Sequence, residues 1–239
     1  MTLPDASRAG ADRTELIELL GREVPDDLLR RSARRADGLI WVTCATDDDD
    51  RCLAACGCTP ARTVLQLRCS LPLPGDAGPT TATRAFRPGI DDEAFLAVNH
   101  RAFEWHPEQG ALDRAGLEQR ISEPWFSSEG FLIHTNEDGE IDGYCWTKVH
   151  PSTGDDPPLG EIYVIACDPS AQGRGLGRAL VVAGLDHLSR AGVDGTPVRD
   201  GMLYVEDSNA AAIRLYESLG FSLHHRDAAF SVPEPNDQP

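Results

Sequence analysis

Basic residues are scarce in this chain: 22 Lys and Arg stand against 39 Asp and Glu, for a net charge of −17. A field of that sign repels polyanions, so nucleic acid is not an expected partner. Long apolar runs are also missing. None approaches the roughly eighteen residues that a membrane-spanning helix needs, and Met1–Arg8 has no apolar centre of the kind a secretory signal carries, so the expected location is the cytoplasm, away from membranes. The seven cysteines form no Cys-x-x-Cys knuckles. Cys44, Cys52, Cys56 and Cys58 cluster along the sequence, but without paired spacing they read as free thiols and packing residues, and His224-His225 adds no ligand pattern, so no metal is expected. Two nucleotide signatures are absent too. There is no Gly-Lys-Ser/Thr of a P-loop and no Gly-x-Gly-x-x-Gly of a dinucleotide turn.

What is present is a glycine loop of different spacing. Gln172-Gly-Arg-Gly-Leu-Gly177 follows the strand-like run Glu161–Cys167 and the breaker Asp168-Pro169, and it precedes a helical stretch over Arg178–Arg190. Glycines allow backbone N–H groups to turn inward, and a helix N-terminus contributes unpaired donors and a positive dipole end. Strand, glycine loop and helix in that order predict a phosphate cradle. Because the overall charge opposes an anionic ligand, local backbone donors together with Arg174 and Arg178 have to supply the attraction.

At 239 residues with 41% hydrophobic content, the chain can hold two small units. The Pro/Gly-rich stretch Leu71–Pro79 marks the break, giving residues 1–75, residues 76–232 and a loose tail at 233–239. In the second unit the pattern predicts a strand near Thr81–Arg87, helices from about Ile90 and over Asp113–Ser122, and strands at Gly130–Thr135, Ile141–Val149 and Glu161–Cys167. After the loop helix come a strand at Met202–Glu206, a helix at Asn209–Ser218 and a strand at Phe221–Phe230. Self-comparison adds an internal repeat. Leu39–Gly57 aligns without gaps on Met202–Gly220 once Val42 is set on Val205; Thr46 then matches Asn209, Leu53 matches Tyr216 and Gly57 matches Gly220.

The spacing Gln172-x-x-Gly175-x-Gly177, followed by Asn209–Tyr216 and the closing Gly220-Phe221, resembles the GCN5-related N-acetyltransferases. The resemblance implies an α+β fold, with a mixed, mostly antiparallel sheet flanked by helices and preceded by a partial, non-catalytic repeat of the same fold. It also implies acetyl-CoA as co-substrate. Within that superfamily, His106–Gly110, Glu123–Phe126, Trp146–Pro151, Gly160–Val164 and Leu203–Glu206 look like the mycothiol synthase family, whose acceptor is the cysteinyl amine of a cysteine–glucosamine–inositol conjugate. Relative to that family the first repeat is shortened. Only the second repeat carries a glycine loop, so one working cofactor site is expected, in a monomer.

The resemblance assigns roles residue by residue. Glu161 would accept the proton of the acceptor ammonium and Tyr216 would protonate the departing CoA sulfur; a phenol with an ordinary pKa of about 10 is protonated at neutral pH and can donate. Backbone groups of Ile165, Ala166 and Cys167 would face the pantetheine arm, while Gln172, Gly173, Arg174, Gly175, Leu176, Gly177 and Arg178 would hold the pyrophosphate. Asn209, Ala210, Ala211, Ala212, Ile213 and Arg214 would line the cofactor's other side. Glu108, Lys148, Glu161 and Tyr204 would contact the acceptor, their carboxylates accepting from hydroxyls and ammonium and the other two donating. Each residue also has a plain structural reading: Glu161 as a strand-end charge, Tyr216 as a core aromatic on a helix stopped by Gly220, Asn209 as an N-cap. Two alternatives remain open at this point, another small-molecule or N-terminal amine acetyltransferase and a non-catalytic acyl-CoA-binding protein.

Overall fold

A computed structural model describes residues 16, 17, 20, 24–35, 37–75, 77–104, 109–153 and 157–232. The tail at 233–239 and Glu108 lie outside the described residues. Packing divides the chain into two compact units that are not contiguous in sequence. One comprises Arg68–Leu203 with Leu215–Phe221; the other joins the N-terminal residues through Leu67 to Tyr204–Arg214 and the segment from Ser222 onward.

In the first unit, β4 (Arg84–Ala85), β5 (Phe131–Thr135), β6 (Ile141–His150), β7 (Leu159–Cys167) and the start of β10 (Asp200–Glu206) lie side by side in that order. All of these pairs are antiparallel except β7 with β10, which run parallel. Mixed strand direction of this kind matches the expected α+β fold. Helices α3 (Asp92–Ala102) and α4 (Arg114–Ile121) cover one face. There Phe95 and Leu117 join Phe131, Tyr144, Trp146, Tyr163 and Val164 in a dry, aromatic core, with Phe131 stacked on Trp146 at 4.2 Å.

Helix α5 (Leu176–Ser189) covers the other face and comes unusually close to it. A Cβ on Gly184 would stand 2.5 Å from Cys145 Sγ and 2.7 Å from Ile162 Cδ1, and one on Gly160 would stand 2.9 Å from Leu188 Cδ2. These glycines therefore set the helix-to-sheet distance. The sequence-based boundaries of the elements agree with the structure to within about two residues through this unit, apart from the shorter β4. Among the features that went unread in the sequence are the long strand β3 (Thr59–Ser70) and the small hairpin of β8 (Gly192–Val193) and β9 (Thr196–Pro197).

In the second unit, β1 (Ser32–Arg34), β2 (Ile40–Val42), β11 (Ser222–Ser231) and β3 are neighbours. Leu28 and Leu29 of α1 (Asp26–Arg31) and Leu53 of α2 (Asp47–Ala55) bury against Ile40, Val42, Ala228 and Phe230. Thr46 and Asp49 form a reciprocal capping box at the start of α2. The Asp49 carboxylate also takes two bonds of 2.9 Å from Arg31. Burial alone would raise the carboxyl of Asp49, but bonds from Arg31 and Thr46 outweigh it and hold it below the ordinary range.

The two aligned segments of the sequence share local detail. Thr46 caps α2, and Asn209 Oδ1 accepts from Ala212 N–H at the start of α6 (Ala210–Glu217). Gly57 and Gly220 both close their helices with a positive φ, 85° and 88°, where an L side chain is strained.

Replacing Gly184 by leucine forces α5 off the sheet. The expected cost is on the order of 1–3 kcal/mol, read as a lower midpoint in urea or thermal unfolding; an unchanged midpoint would mean that the helix approach is not set by this glycine.

Candidate active site

The register between β6 and β7 slips at one place. Trp146 pairs with Val164 but Thr147 pairs with Ile162, leaving Tyr163 as the extra residue of a bulge on β7. Side-chain alternation therefore changes phase there. Tyr163 and Val164 both enter the α3/α4 core, and Cys167 ends up on the α5 side, its Sγ 3.8 Å from where a Gly177 Cβ would be.

The parallel ladder with β10 ends at the same place, its last pair being Ile162 with Leu203. Just past β7, Asp168 N–H donates to Asp142 O at 2.8 Å, which fixes the phase of the antiparallel ladder. Val164 and Ala166 thus direct their backbone groups to β6, and Ile165 and Cys167 direct theirs to the opposite edge. Of the three strand residues expected at a pantetheine arm, Ile165 and Cys167 face the open edge while Ala166 is committed to β6. The Cys167 carbonyl accepts from Gln172 Nε2 at 3.4 Å.

Glu161 lies two residues before the bulge, with 2% exposure. Its Oε2 accepts from His150 Nε2 at 2.7 Å, whereas Oε1 is buried with no hydrogen-bond partner among the described residues. A carboxylate oxygen left unpaired in such a place is costly unless a ligand donor reaches it. Lys148, the only lysine in the chain, stands opposite Glu161 in the ladder. Its ammonium lies 4.7 Å from the centre of the Trp125 ring and 5.7 Å from that of Tyr163, within cation–π range.

The glycine loop leads from β7 into α5. Gly173 and Gly175 have φ of 76° and 83°, and a Cβ on either would meet nothing within 4 Å, so their backbone conformation requires glycine rather than any lack of space. Gly175 is the N-cap of α5 and offers no side-chain acceptor. The first-turn N–H groups of Leu176, Gly177 and Arg178 accordingly have no intrahelical acceptor. Arg174 is exposed and forms no ion pair among the described residues. Arg178 is otherwise engaged: its guanidinium donates to Ala77 O at 2.9 Å and to Ser218 Oγ at 2.7 Å.

Tyr216 is 7% exposed and packs beside Phe221, with ring centroids 5.8 Å apart. Burial raises its phenol well above the ordinary range, and the nearby thiols of Cys145 and Cys167 push the same way. It therefore stays protonated throughout the neutral range. Burial also lifts Cys145 to about 12 and Cys167 to about 11.

Tyr204 and Asn209–Arg214 belong to the second unit. Tyr204 Oη takes a bond of 2.6 Å from Gln66 Nε2, and Asn209 is the N-cap described above. In the same unit, ligating atoms of Cys44, His225 and Asp227 lie within 4.8 Å of one another. Asp227 has a structural task there, since its Oδ1 accepts from Cys44 N–H at 2.9 Å in a turn where Cys44 has φ 51°.

Sequence reasoning missed His150 and Trp125 as parts of the site. The signal for His150 was available, because on a strand Lys148 and His150 share a face. Trp125 comes from a loop after α4, and no periodicity ties it to the strand.

Thiol titration should separate the cysteines. Exposed Cys44 is expected to react fastest with an aromatic disulfide, and buried Cys145 and Cys69, both raised to about 12, only on unfolding. Fast labelling of Cys145 in the folded protein would contradict the packing of α5 on β6.

Among known proteins, residues 95–221 match the family model described as Acetyltransferase (GNAT) family. A protein of Thermomonospora curvata named mycothiol acetyltransferase is 43% identical over 215 residues, covering 87% of this chain and 69% of its own. One of the same name from Paenarthrobacter aurescens is 51% identical over 138 residues, 58% of this chain and 41% of that one. The chain thus spans between two fifths and seven tenths of these relatives' lengths. A solved structure of a GCN5-related N-acetyltransferase from Sphaerobacter thermophilus superimposes with a TM-score of 0.60 at 22% identity, covering 84% of this chain and 63% of its own, a likeness of fold. Family model, relatives and fold agree, and the chain belongs to the GNAT acetyltransferase family.

Proposed function

We propose that this chain is an acetyl-CoA-dependent N-acetyltransferase whose acceptor is the cysteinyl amine of a cysteine–glucosamine–inositol conjugate, the step that completes mycothiol. The observation that carries this reading is on β7. A buried carboxylate with an unpaired oxygen sits just before the bulge, and an open backbone edge just after it runs on into a helix N-terminus stripped of side-chain caps. The names of the relatives from T. curvata and P. aurescens support the choice of acceptor.

In this reading the pantetheine arm pairs with Ile165 and Cys167, and the pyrophosphate rests on the amides of the Gln172–Arg178 loop. The acceptor ammonium gives a proton to Glu161, and the freed amine attacks the thioester carbonyl. A C–N bond forms, the C–S bond breaks, and Tyr216 donates a proton to the leaving thiolate. Lys148, held over Trp125 and Tyr163, faces acceptor hydroxyls. Transfer is direct. At neutral pH a thiol raised to about 12 holds almost no thiolate, so Cys145 is not an acyl carrier. Residues 1–75 are a degenerate half-copy of the fold; the matching caps at Thr46 and Asn209 and the matching glycines at 57 and 220 support that origin. Residues 76–232 are the catalytic region.

The test is release of free CoA from acetyl-CoA by the purified protein, given the cysteinyl conjugate beside a panel of other amines. The conjugate should be the preferred acceptor; no release with any amine sinks the reading, and preference for a different amine reassigns the acceptor. Tyr216→Phe should keep acetyl-CoA affinity and lower kcat by about 10²-fold or more, the usual scale for a general acid. An unchanged kcat removes Tyr216 from the mechanism.

A further inference from the structure

We propose that His150 is the positioning residue of the Glu161 carboxylate, holding Oε2 so that Oε1 is the oxygen that takes the acceptor's proton. The inference rests on the acetyl-transfer reading and adds to it a residue outside the assigned set.

Glu161 is almost wholly enclosed, whereas the His150 side chain is 30% exposed. The two stand on a ladder diagonal: Lys148 pairs with Glu161 and His150 with Leu159, which places all three polar side chains on the α3/α4 face. The imidazole is the only hydrogen-bond partner that Glu161 has among the described residues, through Nε2 at 2.7 Å. Lys148 makes no ion pair with Glu161 within 4 Å, its ammonium lying over Trp125 and Tyr163 instead. On the β10 side Glu161 meets Met202 in register, which carries no charge.

A buried carboxylate with one donor has its rotamer and its proton-accepting oxygen fixed by that donor. A carboxylate oxygen only accepts, so Nε2 must carry the ring proton. His150 is then an Nε2–H donor, and Oε1 keeps its lone pairs for the ammonium that enters. Without the imidazole, Glu161 would stand in an enclosed place with no donor among the described residues, and its orientation would be lost.

The test compares wild type, His150→Leu and His150→Gln, the last because a glutamine amide nitrogen can reach the same carboxylate oxygen. His150→Leu is expected to lower kcat/KM for the amine by about 10- to 100-fold, the range for loss of one hydrogen bond to a charged group. Acetyl-CoA affinity by calorimetry should be unchanged. His150→Gln should restore most of the rate. Wild-type kinetics in His150→Leu, or a glutamine variant no better than leucine, would overturn the proposal. Imidazole NMR of the unaltered protein gives a reading that needs no turnover: a proton on Nε2 supports the pairing, and a neutral ring protonated on Nδ1 refutes it. If wild type itself releases no CoA, the acetyl-transfer reading has failed separately, and the tautomer alone decides whether His150 holds Glu161.

Discussion

One extra residue in β7 organises the candidate site. The bulge at Tyr163 reverses the side-chain phase of the strand, so that residues before it send Glu161 into the α3/α4 side while residues after it send Cys167 to the α5 side. The β10 ladder ends at the same point, leaving Ile165 and Cys167 with backbone groups on an edge without a ladder partner among the described residues. A strand interior that gives up hydrogen bonds in this way is normally penalised, and a cofactor arm able to supply them would lift the penalty.

The close packing of α5 makes the bulge useful. Gly184 on the helix and Gly143 and Gly160 on the strands let the backbones approach; a Cβ on Gly143 would come within 2.9 Å of Leu180. Because α5 starts at the loop that leaves β7, that approach fixes where its first-turn amides lie. An anionic ligand there would meet positive backbone ends in spite of the chain's overall charge of −17. Attraction is local and directional, and the acids elsewhere are restrained by arginine: Asp91 takes bonds from both Arg84 and Arg87, and Asp168 from Arg101.

Burial fixes the protonation of two side chains: Tyr216 is held as a phenol, as a proton donor would need to be, and Cys145 is held as a thiol. Glu161 is enclosed too, with the imidazole of His150 as its one partner among the described residues, where Asp49, Asp91 and Asp168 have guanidinium partners.

The sequence by itself determined the family, the order of elements through the acetyltransferase region and the glycine loop, because glycine spacing, breaker residues and hydrophobic periodicity are local quantities that leave a direct trace in residue order. It also placed Glu161 and Tyr216 in their elements by motif. Only the tertiary structure decided what surrounds them. The partnership of Glu161 with His150, the placing of Lys148 over Trp125, the commitment of Arg178 to Ala77 and Ser218, and the turning of Ala166 away from the open edge all depend on strand register and on which face a side chain takes. Register is a relation between segments, and a single bulge changes it for every residue that follows; no local pattern in β7 announces that Tyr163 is the residue left over.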